Sequence, residues 1–167
     1  MDATSLRAAQ APLKEQYRSA PETARVPTSA GGDYRDQAVT ATIDGYAGPI
    51  RAGLHRAAGG TGADACSADL LLEALLACAG VTLRAVATAM GVDASSARLA
   101  AEGWWDARGT LGIDREAPVG VQDIVVTISL TTDADDTALE RLARATERYC
   151  VVGQTLATPP TIRVVRA

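Results

Sequence analysis

A chain of 167 residues, 47% apolar and 22% charged, can close one hydrophobic core without staples and is too ordinary in composition to be disordered or fibrous. Its net charge of −4, with 16 Arg and Lys and no basic run, gives no field for gathering phosphates and excludes a nucleic-acid partner from the expectations. Three cysteines, Cys66, Cys78 and Cys150, and a single histidine, His55, lack the paired short spacings of a metal site, and in the reducing compartment expected for the chain any disulfide would be transient rather than structural.

The N-terminal stretch "LRAAQAPLKEQYRSA" predicts a short, partly exposed helix over residues 5–20. Ser5 is its expected cap, and Pro12 either kinks it or begins a second piece. It has no basic start followed by an apolar segment, as a secretory signal would. "PETARVPTSAGGD" is a loop by its prolines and glycines. Residues 1–32 are therefore expected to form an extension, and residues 33–167 the folded domain. Alternation over 38–43 and 46–54 predicts a hairpin turning near Asp44 and Gly45.

"HRAAGGTGADACSAD" is a glycine-rich connection without the Lys-Ser/Thr ending of a phosphate loop. Next, "ADLLLEALLACAGVTLRAVATAM" predicts a helix over 68–90, capped by Ser67 or Asp69 and stopped by Gly91. Leu, Ala and Val occupy most of its faces, so it should be enclosed by other elements as the spine of the domain. Its charge-free run, 74–83, is short of the ~20 residues of a membrane span, so a soluble cytoplasmic protein is expected.

Two further strands are expected in "ARLAAEGWWDARGTLGI" and over Ile124 to Leu130, with Pro118 and Gly120 in the turn between them. "DADDTALERLARATERYC" then predicts an amphipathic helix. Leu139, Leu142, Ala143 and Thr146 face inward, while Glu140, Arg141, Arg144, Glu147 and Arg148 form its wet side. Pro159 and Pro160 stop any last turn, and "TIRVVR" closes the chain as a strand. Helices arriving singly between strands give an α+β class.

Two thiols sit in the apolar elements, Cys78 in mid-helix and Cys150 at the end of the next helix. The residues alone are compatible with two separate core thiols or with one functional pair.

"LLEALLACAGVTL" followed by "TERYCVVGQTL" resembles the OsmC/Ohr family, the osmotically inducible and organic hydroperoxide resistance proteins, over roughly residues 35–167. The resemblance implies an intertwined homodimer with a long buried central helix and a second helix on a mainly antiparallel sheet. It also implies reduction of small organic hydroperoxides, with Cys78 as the peroxidatic thiol and Cys150 as the resolving one. Arg56, or failing it Arg51, would supply the activating guanidinium. An external dithiol, lipoyl-type in the family, would regenerate the pair, and no metal or bound cofactor is needed. Cys66, Asp69, Glu73 and Gln154 are expected in supporting positions, Cys66 as an alternative resolving thiol. One departure stands out: the family's arginine-orienting Glu, ten residues before the reactive cysteine, corresponds to Ala68. That leaves a second expectation of a different class, a thiol protein of the same fold that binds or carries a small hydrophobic or sulfur-containing ligand.

Overall fold

The structure, a computed structural model, describes residues 2–167. It divides into two compact units, one of Thr28–Ala74 with Glu102–Ile124, the other of Met1–Pro27, Leu75–Ala101 and Val125–Ala167. The α+β class expected from the order of elements holds.

The first unit carries a sheet of order β1-β2-β3-β4, with β1 Gly32–Asp33, β2 Thr40–Gly45, β3 Gly48–Gly53 and β4 Ala65–Cys66. The β2–β3 hairpin is antiparallel, and its turn falls on Tyr46–Ala47, two residues beyond the expected place. Gly45 pairs with Gly48, whose φ of 129° is open to glycine and strained for other residues, so the second glycine sets the turn. Strand β4 adds parallel to β3, pairing Gly53 with Cys66. Beyond β5 (Ala97–Trp104) the predicted strand stops early. Asp106 accepts the Arg108 N–H at 2.9 Å and grips its guanidinium at 2.6 Å, which caps a helical turn, α3 (Ala107–Thr110), where strand was expected.

In the second unit, β6 (Gln122–Leu130) buries Val126, Ile128 and Leu130 on alternate positions, and β7 (Thr161–Arg166) buries Ile162 and Val164. These two strands run parallel, because α4 (Asp136–Tyr149) and α5 (Val151–Thr155) carry the chain back between them. In the first unit β1–β2–β3 is an antiparallel ladder with β4 added parallel at its edge, and in the second unit β6 and β7 pair parallel. Asp135 caps α4 by accepting the Ala138 N–H at 2.7 Å, and Leu139, Leu142 and Thr146 form its buried stripe.

The long helix, α2 (Ser67–Met90), ends in a Schellman pattern: Val92 N–H donates to Ala87 O at 2.9 Å around Gly91, at φ 72°. Leu75, Ala79, Leu83 and Ala87, at four-residue spacing, are buried. Ala74, Ala77 and Val81 are exposed, Val81 by 74%, so within the single chain this helix is enclosed along one face and open along another. At 24 residues it is long and apolar enough to cross a membrane by length and composition, beyond the charge-free run read from sequence; a core helix meets the same criterion. The N-terminal helix, α1 (Ala3–Ser19), is capped by Asp2 rather than Ser5: the Asp2 carboxylate accepts the Ser5 N–H at 2.8 Å. It continues through Pro12, and none of its residues is buried.

Candidate active site

Cys78 lies in the middle of α2, half-buried, and Cys150 at the break between α4 and α5, fully buried; both are free thiols. The break places the second sulfur. Cys150 has extended backbone, its N–H closing α4 on Thr146 O at 2.9 Å while its Sγ accepts the Gly153 N–H at 3.4 Å. One residue therefore ends one helix and caps the next, which fixes its side chain and turns the first N–H groups of α5 toward Cys78.

The two thiols lie within hydrogen-bonding reach of one another. Burial pushes the Cys78 thiol up, but the Val152 N–H, the Cys150 S–H, the Val151 N–H and the Thr82 hydroxyl together outweigh it and hold Cys78 below the ordinary thiol range. Burial likewise pushes Cys150 up; the Gly153 N–H opposes this, the negative sulfur of Cys78 adds to it, and the net is upward. The proton that the pair loses first therefore leaves Cys78, and Cys150 keeps its own as the donor. Such a pair can present a nucleophilic sulfur with a protonated thiol beside it.

The other expected site residues are placed as follows. Arg56 lies in a 3-10 turn, Arg56–Ala58, with its side chain folded over Gly62, and among the described residues it makes no ion pair. Arg51, the fallback, is held by two carboxylates, Asp36 at 3.1 Å and Asp64 at 3.3 Å. Ala68 stands half-buried in the first turn of α2 with Asp69 and Glu73 exposed on the same helix. The Gln154 amide is engaged in structure, donating to the Glu147 carbonyl at 2.9 Å and so bracing the α4–α5 junction. Cys66 borders a cleft of about 400 Å³ in the first unit, with His55 and Trp105. Among the described residues no cluster of His, Cys, Asp or Glu is arranged to hold a metal ion.

Thr82 and the Val151 and Val152 amides were not among the expected site residues. Thr82 has a legible signal, since a residue four positions after Cys78 shares its helix face. The amides have none, because backbone donors carry no residue type.

The OsmC-like protein family matches residues 60–165 of this chain. An OsmC-like protein from Mycoplasma pneumoniae superposes with a TM-score of 0.64 at 13% identity, over 85% of this chain and 95% of its own. An OsmC-like protein of unknown function from Vibrio cholerae gives 0.65 at 14% identity, over 86% and 99%. An organic hydroperoxide resistance protein from Elizabethkingia anophelis gives 0.65 at 10% identity, over 86% and 98%. At such identities the likeness is one of fold. No curated protein sequence matches the chain.

Proposed function

The chain belongs to the OsmC-like family, and from that premise we propose that it is a thiol peroxidase reducing small organic hydroperoxides through Cys78 and Cys150. The observation that carries the reading is the pairing of a Cys78 sulfur held low by four donors with a protonated, buried Cys150 thiol beside it. Structural relatives that include organic hydroperoxide resistance proteins support the substrate class.

In the proposed cycle the Cys78 thiolate attacks one oxygen of the peroxide. The O–O bond breaks, the alcohol leaves with a proton from solvent, and Cys78 becomes a sulfenic acid. Cys150 then displaces hydroxide from that sulfur, forming the S–S bond and releasing water. Two electrons pass from the dithiol to the peroxide, and an external dithiol, lipoyl-type by family analogy, returns them. By family analogy an arginine, Arg56 or Arg51, would supply an activating guanidinium, and of the two Arg51 is the one held by carboxylates, those of Asp36 and Asp64. The working form is a homodimer, which the apolar face of α2 left open in one chain supports.

All four donors to Cys78 are neutral, which favours a second reading in which the same fold holds a small hydrophobic or sulfur-containing ligand without turnover. One equivalent of cumene hydroperoxide added to the reduced protein, followed by non-reducing peptide mapping, separates the two. The peroxidase reading expects a Cys78–Cys150 disulfide and stoichiometric cumyl alcohol. Both thiols recovered reduced, with the peroxide intact, would overturn it.

A further inference from the structure

The third thiol has surroundings unlike those of the pair. The register of β3 and β4 sets Cys66 opposite Gly53, two residues short of His55 on the neighbouring chain segment, and both side chains border the cleft of about 400 Å³. Leu54, Leu71, Val119 and Val121 supply its apolar wall, and no Asp, Glu, Lys or Arg lines it. In a chain that is 22% charged, a cleft without a formal charge selects a neutral, largely apolar guest, and the volume suits a small organic molecule.

Two contacts orient the His55 ring. Its Nδ1 accepts the Ala57 N–H at 3.1 Å, and its ring stands edge-on to Trp105, centroids 5.4 Å apart at 85°. With Nδ1 accepting, Nε2 is the ring nitrogen left to donate a hydrogen bond. A cleft that combines a free thiol, an oriented N–H donor and apolar walls is suited to a neutral molecule with an electrophilic carbon conjugated to a carbonyl.

We infer that the Cys66–His55–Trp105 cleft is a second ligand site, separate in chemistry from the Cys78–Cys150 pair, which captures small apolar α,β-unsaturated carbonyl compounds on Cys66. The step is redox-neutral. Cys66 gives its thiol proton to water, the sulfur electron pair forms a C–S bond at the β-carbon, and the C=C π pair moves onto the carbonyl oxygen as an enolate. The His55 Nε2–H donates to that oxygen, and water then protonates the α-carbon, so that S–H has added across the double bond.

The test uses the full chain, reduced, with trans-2-nonenal as electrophile and 1-nonanol as an unreactive occupant. Peptide mapping is expected to find the thioether on Cys66, forming at a rate that saturates with nonenal and is slowed by 1-nonanol. His55→Ala should lower the maximal rate at least about tenfold with little change in half-saturation, since the donor acts on the enolate rather than on binding. Val119→Asp, at an exposed rim position where folding is not at stake, should raise half-saturation about tenfold by putting a carboxylate in the cleft. A rate linear in nonenal and indifferent to 1-nonanol, meaning chance alkylation of an accessible thiol, would overturn the inference, as would an adduct on Cys78 with Cys66 bare. The peroxide experiment reads different residues, so either reading can fail while the other stands.

Discussion

Cys78 and Cys150 are the same residue type in similarly apolar stretches, and their opposite protonation follows from what surrounds each sulfur. The Val152 and Val151 amides, the Cys150 thiol and the Thr82 hydroxyl outweigh burial and hold Cys78 low, whereas Cys150 is fully enclosed and faces a negative neighbour. Iodoacetamide alkylation of Cys78, followed by mass spectrometry across pH, should therefore show a midpoint below that of an unperturbed thiol. Thr82→Val keeps the shape and removes one donor, so it should move that midpoint upward. The raised Cys150 has a consequence of opposite sign for stability. Below the ordinary thiol value the group is protonated in both folded and unfolded chains and its burial is uncharged. As pH climbs past that value the unfolded chain ionises Cys150 first, and the folded state loses stability progressively until the folded thiol also ionises. Urea midpoints at pH 7 and pH 10 should fall more steeply for the wild type than for Cys150→Ala. An equal fall would mean that Cys150 does not contribute.

At the scale of elements, what could be read from sequence was what periodicity and punctuation encode. The Leu75–Ala79–Leu83–Ala87 spacing and Gly91 specify α2 and its end, and Leu139, Leu142 and Thr146 specify the inner face of α4. The errors came where two local signals compete. Ser5 and Asp2 are both good caps, and the carboxylate won at the earlier position; "DARG" reads as strand by its neighbours, yet Asp106 captures the Arg108 amide and starts a turn. The pairing of Cys78 with Cys150 was legible only through family resemblance, since contacts across 72 residues of separation leave no local trace. Two substitutions test the punctuation. Asp135→Ala removes the carboxylate that accepts the Ala138 N–H and should cost about 1 kcal/mol in urea unfolding. Gly91→Ala meets nothing within 4 Å of the new Cβ, so its cost, also about 1 kcal/mol, comes from forcing a left-handed φ on alanine rather than from a clash. If Gly91→Ala proved neutral, the Schellman closure would not be what ends the helix.

At the scale of the whole molecule the open face of α2 is the feature that a single chain does not explain. Ala74, Ala77 and Val81 lie at heptad-like spacing on the side opposite the buried stripe, and small alanines there let a second helix approach closely. Leaving a valine 74% exposed on the most apolar helix forgoes most of the ~1.5–3 kcal/mol that burying such a side chain contributes, and a second copy of the chain meeting the same face would recover it on both helices at once. Light scattering of the wild type should therefore give twice the 17.2 kDa chain mass at micromolar concentration. Val81→Glu places a carboxylate against its own symmetry mate, so both desolvation and like-charge repulsion oppose association, and the variant should run at the single-chain mass. Because Val81 is already exposed in the chain, the change should leave the far-ultraviolet circular dichroism of the monomer largely intact, which separates loss of association from loss of fold. A wild type of single-chain mass, or a Val81→Glu protein still at twice it, would show that this face is not where two copies meet.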